Sequence, residues 1–155
     1  MPTFQRAPQD VTELANGILC EFETHRPLLD AKARIDLVFA YPDYDSKGQA
    51  TNDALKHHGR KALGVARRLG LKDRAMGRGD AEIVLDAEWW KEASEARRRA
   101  LLDHELHHLE VRMESGVVVR DDLSRPKLLL RKHDVDIGWF ALMAQRHGDA
   151  STLDR

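Results

Sequence analysis

A chain of 155 residues, 42% hydrophobic and 33% charged, has the make-up of a single globular domain with a sizeable core and is too short for two. Its formal net charge of -1 excludes a whole-molecule attraction to nucleic acid or to an anionic membrane. One cysteine, Cys20, excludes an internal disulfide and a cysteine-built zinc site. No apolar run reaches the ~20 residues of a membrane span, and the polar start has no signal-peptide core, so a cytoplasmic protein is expected.

Residues 1–9 read as a flexible leader. Val11, Leu14, Ala15, Ile18, Leu19 and Phe22 then recur at helical spacing, with Asp10 and Glu13 placed as a capping box, and the helix is expected to stop at His25-Arg26-Pro27. Ile35 to Tyr41 is β-branched and aromatic and reads as a strand closed by Pro42; residues 42–53 read as a loop. The pattern of Leu55, Leu63, Val65, Ala66 and Leu69 suggests a helix, weakened by Gly59 and Gly64. A glycine-rich loop over 70–80 leads to a short strand at Glu82 to Asp86, followed by a helical turn at Trp89-Trp90, one ring of which is expected in the core.

Ser94 is placed to cap a helix running to Arg112 or Glu114, ended by Gly116. Ala100, Leu101, Leu102, Leu106 and Leu109 cover more than one side of it, the mark of a largely buried helix. Val117 to Val119 and Leu128 to Leu130 suggest a hairpin. Val135, Trp139, Leu142 and Met143 mark a last helix stopped at Gly148, capped by Asp134, with 149–155 a flexible end. The expected fold class is α+β: a small mixed or antiparallel sheet with the central helix packed on it.

That helix carries His104-Glu105-Leu106-His107-His108. Four residues advance an α-helix by about 400°, so His104 and His108 lie about 40° apart and one turn along the axis. Two imidazoles so stacked can share one tetrahedral zinc ion, while Glu105 points to the adjacent side, where it can deprotonate water without ligating the metal. A solvated helix face would account for the same three residues. The leucines around them argue instead for burial, where two histidines and a carboxylate need partners.

Such a site needs a third protein ligand. The metzincin spacing fails, because Val111 and Glu114 stand where a glycine and a histidine belong, and no glutamate follows Glu114. His133 is the choice, ahead of Asp121, Asp122, Asp134 and Asp136; His147 suits a helix C-terminus better. His107 reads as packed or hydrogen-bonded, with a fourth ligand as the alternative. His57-His58 does not share a helix face. The expected activity is zinc-dependent hydrolysis of peptide bonds in a protein or peptide substrate. Glu105 acts as general base, and Tyr41, Tyr44, His107 or Arg131 stabilises the oxyanion. The Glu82 to Asp86 strand is the expected edge along which a peptide pairs.

Between Lys56 and Arg78 there are eight Lys or Arg and one acid, Asp73. Such a run is usually a solvated face; as a nucleic-acid footprint it would use Lys56, Arg60, Lys61, Arg67 and Arg68, without an aromatic residue in the stretch to stack a base. The alternative to the hydrolase is thus a nucleic-acid-associated protein in which zinc is structural or catalysis is lost.

The stretch AEIVLDAEWWKEASEARRRALLDHELHHLEV followed by RPKLLLRKHDVDIGWF resembles the phage metallopeptidase family, a small zincin group similar in layout to SprT-like proteases. The resemblance covers roughly residues 33–147. It implies a zincin-like domain with His104, His108 and His133 on zinc, Glu105 as catalytic base, and a phage or prophage origin.

Overall fold

The computed structural model describes residues 2–134 and 140–151. Its main sheet has four strands in the order β1 (Thr3–Arg6), β2 (Ile35–Tyr41), β6 (Ala81–Asp86) and β5 (Gly64–Arg68). β2 and β6 are parallel, and the outer pairs β1–β2 and β5–β6 are antiparallel, so the sheet is mixed and the class is α+β. The leader expected to be flexible thus supplies an edge strand. β6 is central rather than an edge: both of its sides are paired, which removes it as a site for an added peptide strand.

Alternation sorts the strands into two faces. Leu37, Phe39, Ile83 and Leu85 pack on one face against α1 (Gln9–Glu21), α2 (Arg26–Asp30) and α5 (Glu95–His107). Val38, Ala40 and Val84 point the other way, where Ala54, Leu55 and Ala62 pack on them. α1 buries Val11, Ala15, Ile18 and Leu19 as one stripe; Pro8 rather than Asp10 stands at its N-cap, with no side-chain cap bond. The chain leaves α1 at Glu21 and passes a 3-10 turn, Glu23–His25, before α2.

The helix expected over 54–69 is instead β3 (Lys56–His57), β4 (Arg60–Lys61) and β5. Both glycines have strand-type reasons. His58 (φ 53) and Gly59 (φ 77) form the tight turn between β3 and β4, a geometry that matches strand twist. Gly64 sits on the core face of β5 where a helix side chain comes close. Beyond β5 come the short α3 (Leu71–Ala75), within the expected loop, and α4 (Ala87–Glu92), which Asp86 caps by accepting from the N–H groups of Glu88 and Trp89 at 3.0 and 3.2 Å. Trp90 is buried and Trp89 half-buried.

Ser94 caps α5 by accepting from Arg97 N–H at 3.3 Å. The helix stops at His107, earlier than expected, because β7 (Leu109–Val111) pairs with β10 (Leu128–Leu130). That ladder satisfies the backbone and buries Leu109, Val111 and Leu128 in the core, so tertiary pairing overrides helical propensity. Gly116 (φ 77) and Ser115 (φ 51) make the turn between β8 (Met113–Glu114) and β9 (Val117–Val118) instead of a helix end. The hairpin expected between Val117 to Val119 and Leu128 to Leu130 is replaced by two other pairings, β9 with β8 and β10 with β7, while the Arg120–Pro126 bridge and the Lys127 N–H to Val119 carbonyl bond link the two stretches. The last helix, α6, spans Ala141–His147 and runs into a 3-10 turn, Gly148–Ser151. The expected helical positions Val135 and Trp139, and the candidate ligand Asp136, lie outside the described residues. No helix among the described residues is long and apolar enough to cross a membrane.

Candidate metal centre

Every residue of α5 from Ala100 to His107 is buried. Four of them, Asp103, His104, Glu105 and His107, are polar, so the core must supply each with a partner.

One nitrogen from each of His104, His108 and His133 comes within 4.8 Å of the others, the one such histidine, cysteine or carboxylate group among the described residues. His104 Nε2 and His133 Nε2 are 3.0 Å apart, near the ~3.3 Å separation of two ligands on a tetrahedral ion with 2.0–2.1 Å bonds. His108 is oriented from behind. Its Nδ1–H donates to the Arg131 carbonyl oxygen at 2.7 Å, which fixes the tautomer and leaves Nε2 as the available lone pair. Burial is the first reason its pKa lies below the usual histidine value; the charges of His57 and Arg131 add to that, against the hydrogen bond to Arg131. A neutral imidazole is the form that binds a cation.

The route by which His133 arrives is visible in the backbone. Leu109 pairs with Leu130, and the next step of the ladder, Arg131 N–H to the His108 carbonyl at 2.6 Å, prolongs it. Two residues later the chain reaches the imidazole pair. Three imidazole nitrogens, with one ring locked by an outer partner, make a donor set that could hold a metal ion.

Glu105 lies on the adjacent side of the helix, with Oε1 4.0 Å from His104 Nε2. It is packed against β5: a Cβ placed on Gly64 would lie 3.1 Å from Glu105 Cγ and 3.2 Å from Oε1. A side chain at position 64 would press on the carboxylate, which would have to give by a few tenths of an ångström. Phe140, just before α6, is buried with its ring centroid 5.0, 4.5, 4.9 and 5.0 Å from those of His104, His107, His108 and His133. It gives the imidazoles an apolar wall.

The other candidates are engaged elsewhere. His107 Nδ1 accepts from Arg131 Nη1 at 3.0 Å, and burial, followed by the Arg131 charge, lowers its pKa to about 4. Arg131 also donates to the His107 carbonyl. Asp121 Oδ1 accepts from Leu123 N–H and Arg125 N–H at 2.8 and 3.0 Å, and its other oxygen is 2.9 Å from Arg74. Asp122 is exposed, Asp134 accepts from Ala141 N–H at 2.9 Å, and His147 bonds Asp103 at 2.7 Å. The Tyr44 hydroxyl donates to Glu88, a bond that with burial pushes its pKa up to about 12. The ring of Tyr41 lies against Phe39.

The basic segment does not form one surface. Arg68 donates to the Leu128 carbonyl, Arg74 pairs with Asp121, and Arg78 pairs with Asp36 and Glu82. Lys56, Arg60 and Lys61 lie exposed on the β3–β4 hairpin. Arg67 instead joins Arg6, Arg34 and Arg78 around a groove of about 720 Å³ on the thinly covered face of the sheet.

Gly64, Asp103 and Phe140 escaped the sequence reading. Asp103 carried a signal, a charge inside an apolar helix; Gly64 counted only against the helix expected around it and gave no sign of the carboxylate it faces.

A family model described as "Putative phage metallopeptidase" matches residues 3–155. No curated protein and no solved structure gives a significant match.

Proposed function

Because the chain belongs to the phage metallopeptidase family, we propose that it is a zinc-dependent peptidase working in the cytoplasm, with His104, His108 and His133 as ligands and Glu105 as general base. The observation that carries this reading is the convergence of three imidazole nitrogens within 4.8 Å beside a buried carboxylate. Zinc bound there supplies Lewis acidity, acidifying water toward a pKa of about 7 and polarising a carbonyl. Glu105 takes the proton of the attacking water on a carboxylate oxygen and passes it to the leaving amine. Gly64 keeps that carboxylate in place, and Phe140 keeps bulk water from the back of the imidazoles. An extended substrate lies along β5, an edge strand of the main sheet whose Gly64 end abuts Glu105.

The test is Glu105→Gln. The variant is expected to hold about one zinc per chain and to keep its fold, while hydrolysis of a fluorescein-labelled casein falls by roughly 10²–10⁴-fold, the usual contribution of a general base. Undiminished turnover in Glu105→Gln, or a wild-type chain that takes up no zinc, defeats the reading.

The groove on the far face of the sheet supports a second reading, a nucleic-acid-associated protein. Arg6, Arg34 and Arg67 form no ion pair with an acid among the described residues, and the exposed Phe4 of β1 supplies the aromatic that the basic segment lacks. Binding of a dT20 oligonucleotide that weakens steeply with salt and is lost in Arg6→Ala/Arg67→Ala would favour it. Equal binding by that variant would remove it.

A further inference from the structure

Asp103 immediately precedes His104 and is fully buried, yet it is not one of the three metal-holding candidates. Its oxygens accept from three side chains: His25 Nε2 at 2.6 Å, Arg146 Nη1 at 2.9 and 3.0 Å, and His147 Nε2 at 2.7 Å. His25 comes from the turn after α1; Arg146 and His147 come from the last turn of α6. Arg146 is itself held by Thr24 Oγ1 and by the Phe22 ring, 4.1 Å below its guanidinium. A buried carboxylate with this many donors from separate elements is a fastening: removing one partner leaves charge in the core.

The other end of α6 is tied to the metal centre. Ala141 N–H donates to Asp134 Oδ1 at 2.9 Å, one residue after His133, and Phe140 sits against all three candidate ligands. The contacts close a circuit. It runs from Asp103 to Arg146, along α6 to Ala141, through Asp134 to His133, and back from His133 Nε2 to His104 Nε2 at 3.0 Å. His133 itself is exposed and lies beyond the end of the β10 ladder.

We propose that Asp103 is a positioning residue. By fastening the end of α6 to α5, it delivers His133 to the His104–His108 pair, so a buried non-ligand carboxylate sets the strength of metal binding. The inference rests on the zinc reading above. A carboxylate that only stabilised the fold would not single out the third ligand.

The experiment measures the zinc dissociation constant of the full chain by competition with a chromophoric chelator. The proteins are wild type, Arg146→Gln, His133→Ala and the double variant, with thermal unfolding of the metal-free chains in parallel. Arg146→Gln is expected to weaken zinc by roughly 10–100-fold, as loss of an outer-shell partner does, and Arg146→Lys to recover most of it. In the His133→Ala background Arg146→Gln should add nothing, because the latch acts through that ligand alone. Losses that multiply in the double variant, or a zinc affinity for Arg146→Gln equal to wild type, overturn the latch and leave the metal centre standing. A wild-type chain that binds no zinc overturns both. If Arg146→Gln does not fold, His147→Gln removes the other clamp on α6 and is read by the same outcomes.

Discussion

The two halves of the imidazole group are held in opposite ways. His104 and His108 stand on α5 and its first residue beyond, where every side chain from Ala100 to His107 is buried between the sheet, α1 and α6. His133 is exposed and follows a three-residue strand whose Leu129 and Leu130 are 39% and 44% exposed. One half is a platform set by close packing; the other is an arm set by a few hydrogen bonds and by Phe140. A metal site assembled this way has a fixed orientation from the platform and an entry path from the arm. Stability should therefore reside in α5, while metal affinity is shared between the two.

The largest expected effect comes from breaking the platform's chemistry. His108→Ala removes both a candidate ligand and the bond to the Arg131 carbonyl, and should cost more zinc affinity than His133→Ala; the same chelator competition reads both. Equal losses would mean that platform and arm contribute alike. Next comes packing. Leu106→Ala, at a fully buried position, is expected to destabilise by about 2–5 kcal/mol. Leu129→Ala on the arm should stay within about 0.5 kcal/mol. Urea denaturation of the metal-free chain measures this pair, and comparable values would erase the distinction between core helix and open arm.

The smallest effect is the acid sensitivity of the arm's turn. The pKa of Asp121 is lowered: burial pushes it up, but the N–H groups of Arg125 and Leu123 and the charges of Arg74 and Arg125 outweigh that. A carboxylate with a depressed folded-state pKa adds stability that is complete above its unfolded pKa of about 3.9 and is lost as pH falls through the folded value. The urea midpoint of Asp121→Asn should thus lie below wild type at pH 6, and the gap should narrow as pH falls below about 3.9. A gap independent of pH would show that the turn is held without the charge.

Legibility followed the same division. β2 matched its expected bounds because its alternation and Pro42 are local signals, and Ser94, the expected cap of α5, lies three residues from the Arg97 N–H it satisfies. Residues 54–69 misled because alternate apolar positions and two glycines are compatible with helix or strand. Only the β3–β4 turn and the pairing of β5 with β6 decide between them. Leu109 to Val111 continued a good helical pattern, yet the partner that ends the helix lies nearly twenty residues away.

By itself the sequence determined that one helix would present two imidazoles and a carboxylate to a common region, since helical periodicity is a property of adjacent residues. It also narrowed the third ligand to a short set that included His133. Tertiary structure decided that, among the described residues, His133 meets the pair, that β5 and not β6 is an edge, and that Gly64, Asp103 and Phe140 lie around the centre. The reason is physical. Those outcomes depend on hydrogen bonds and packing between segments far apart in the chain, whose register no local pattern encodes.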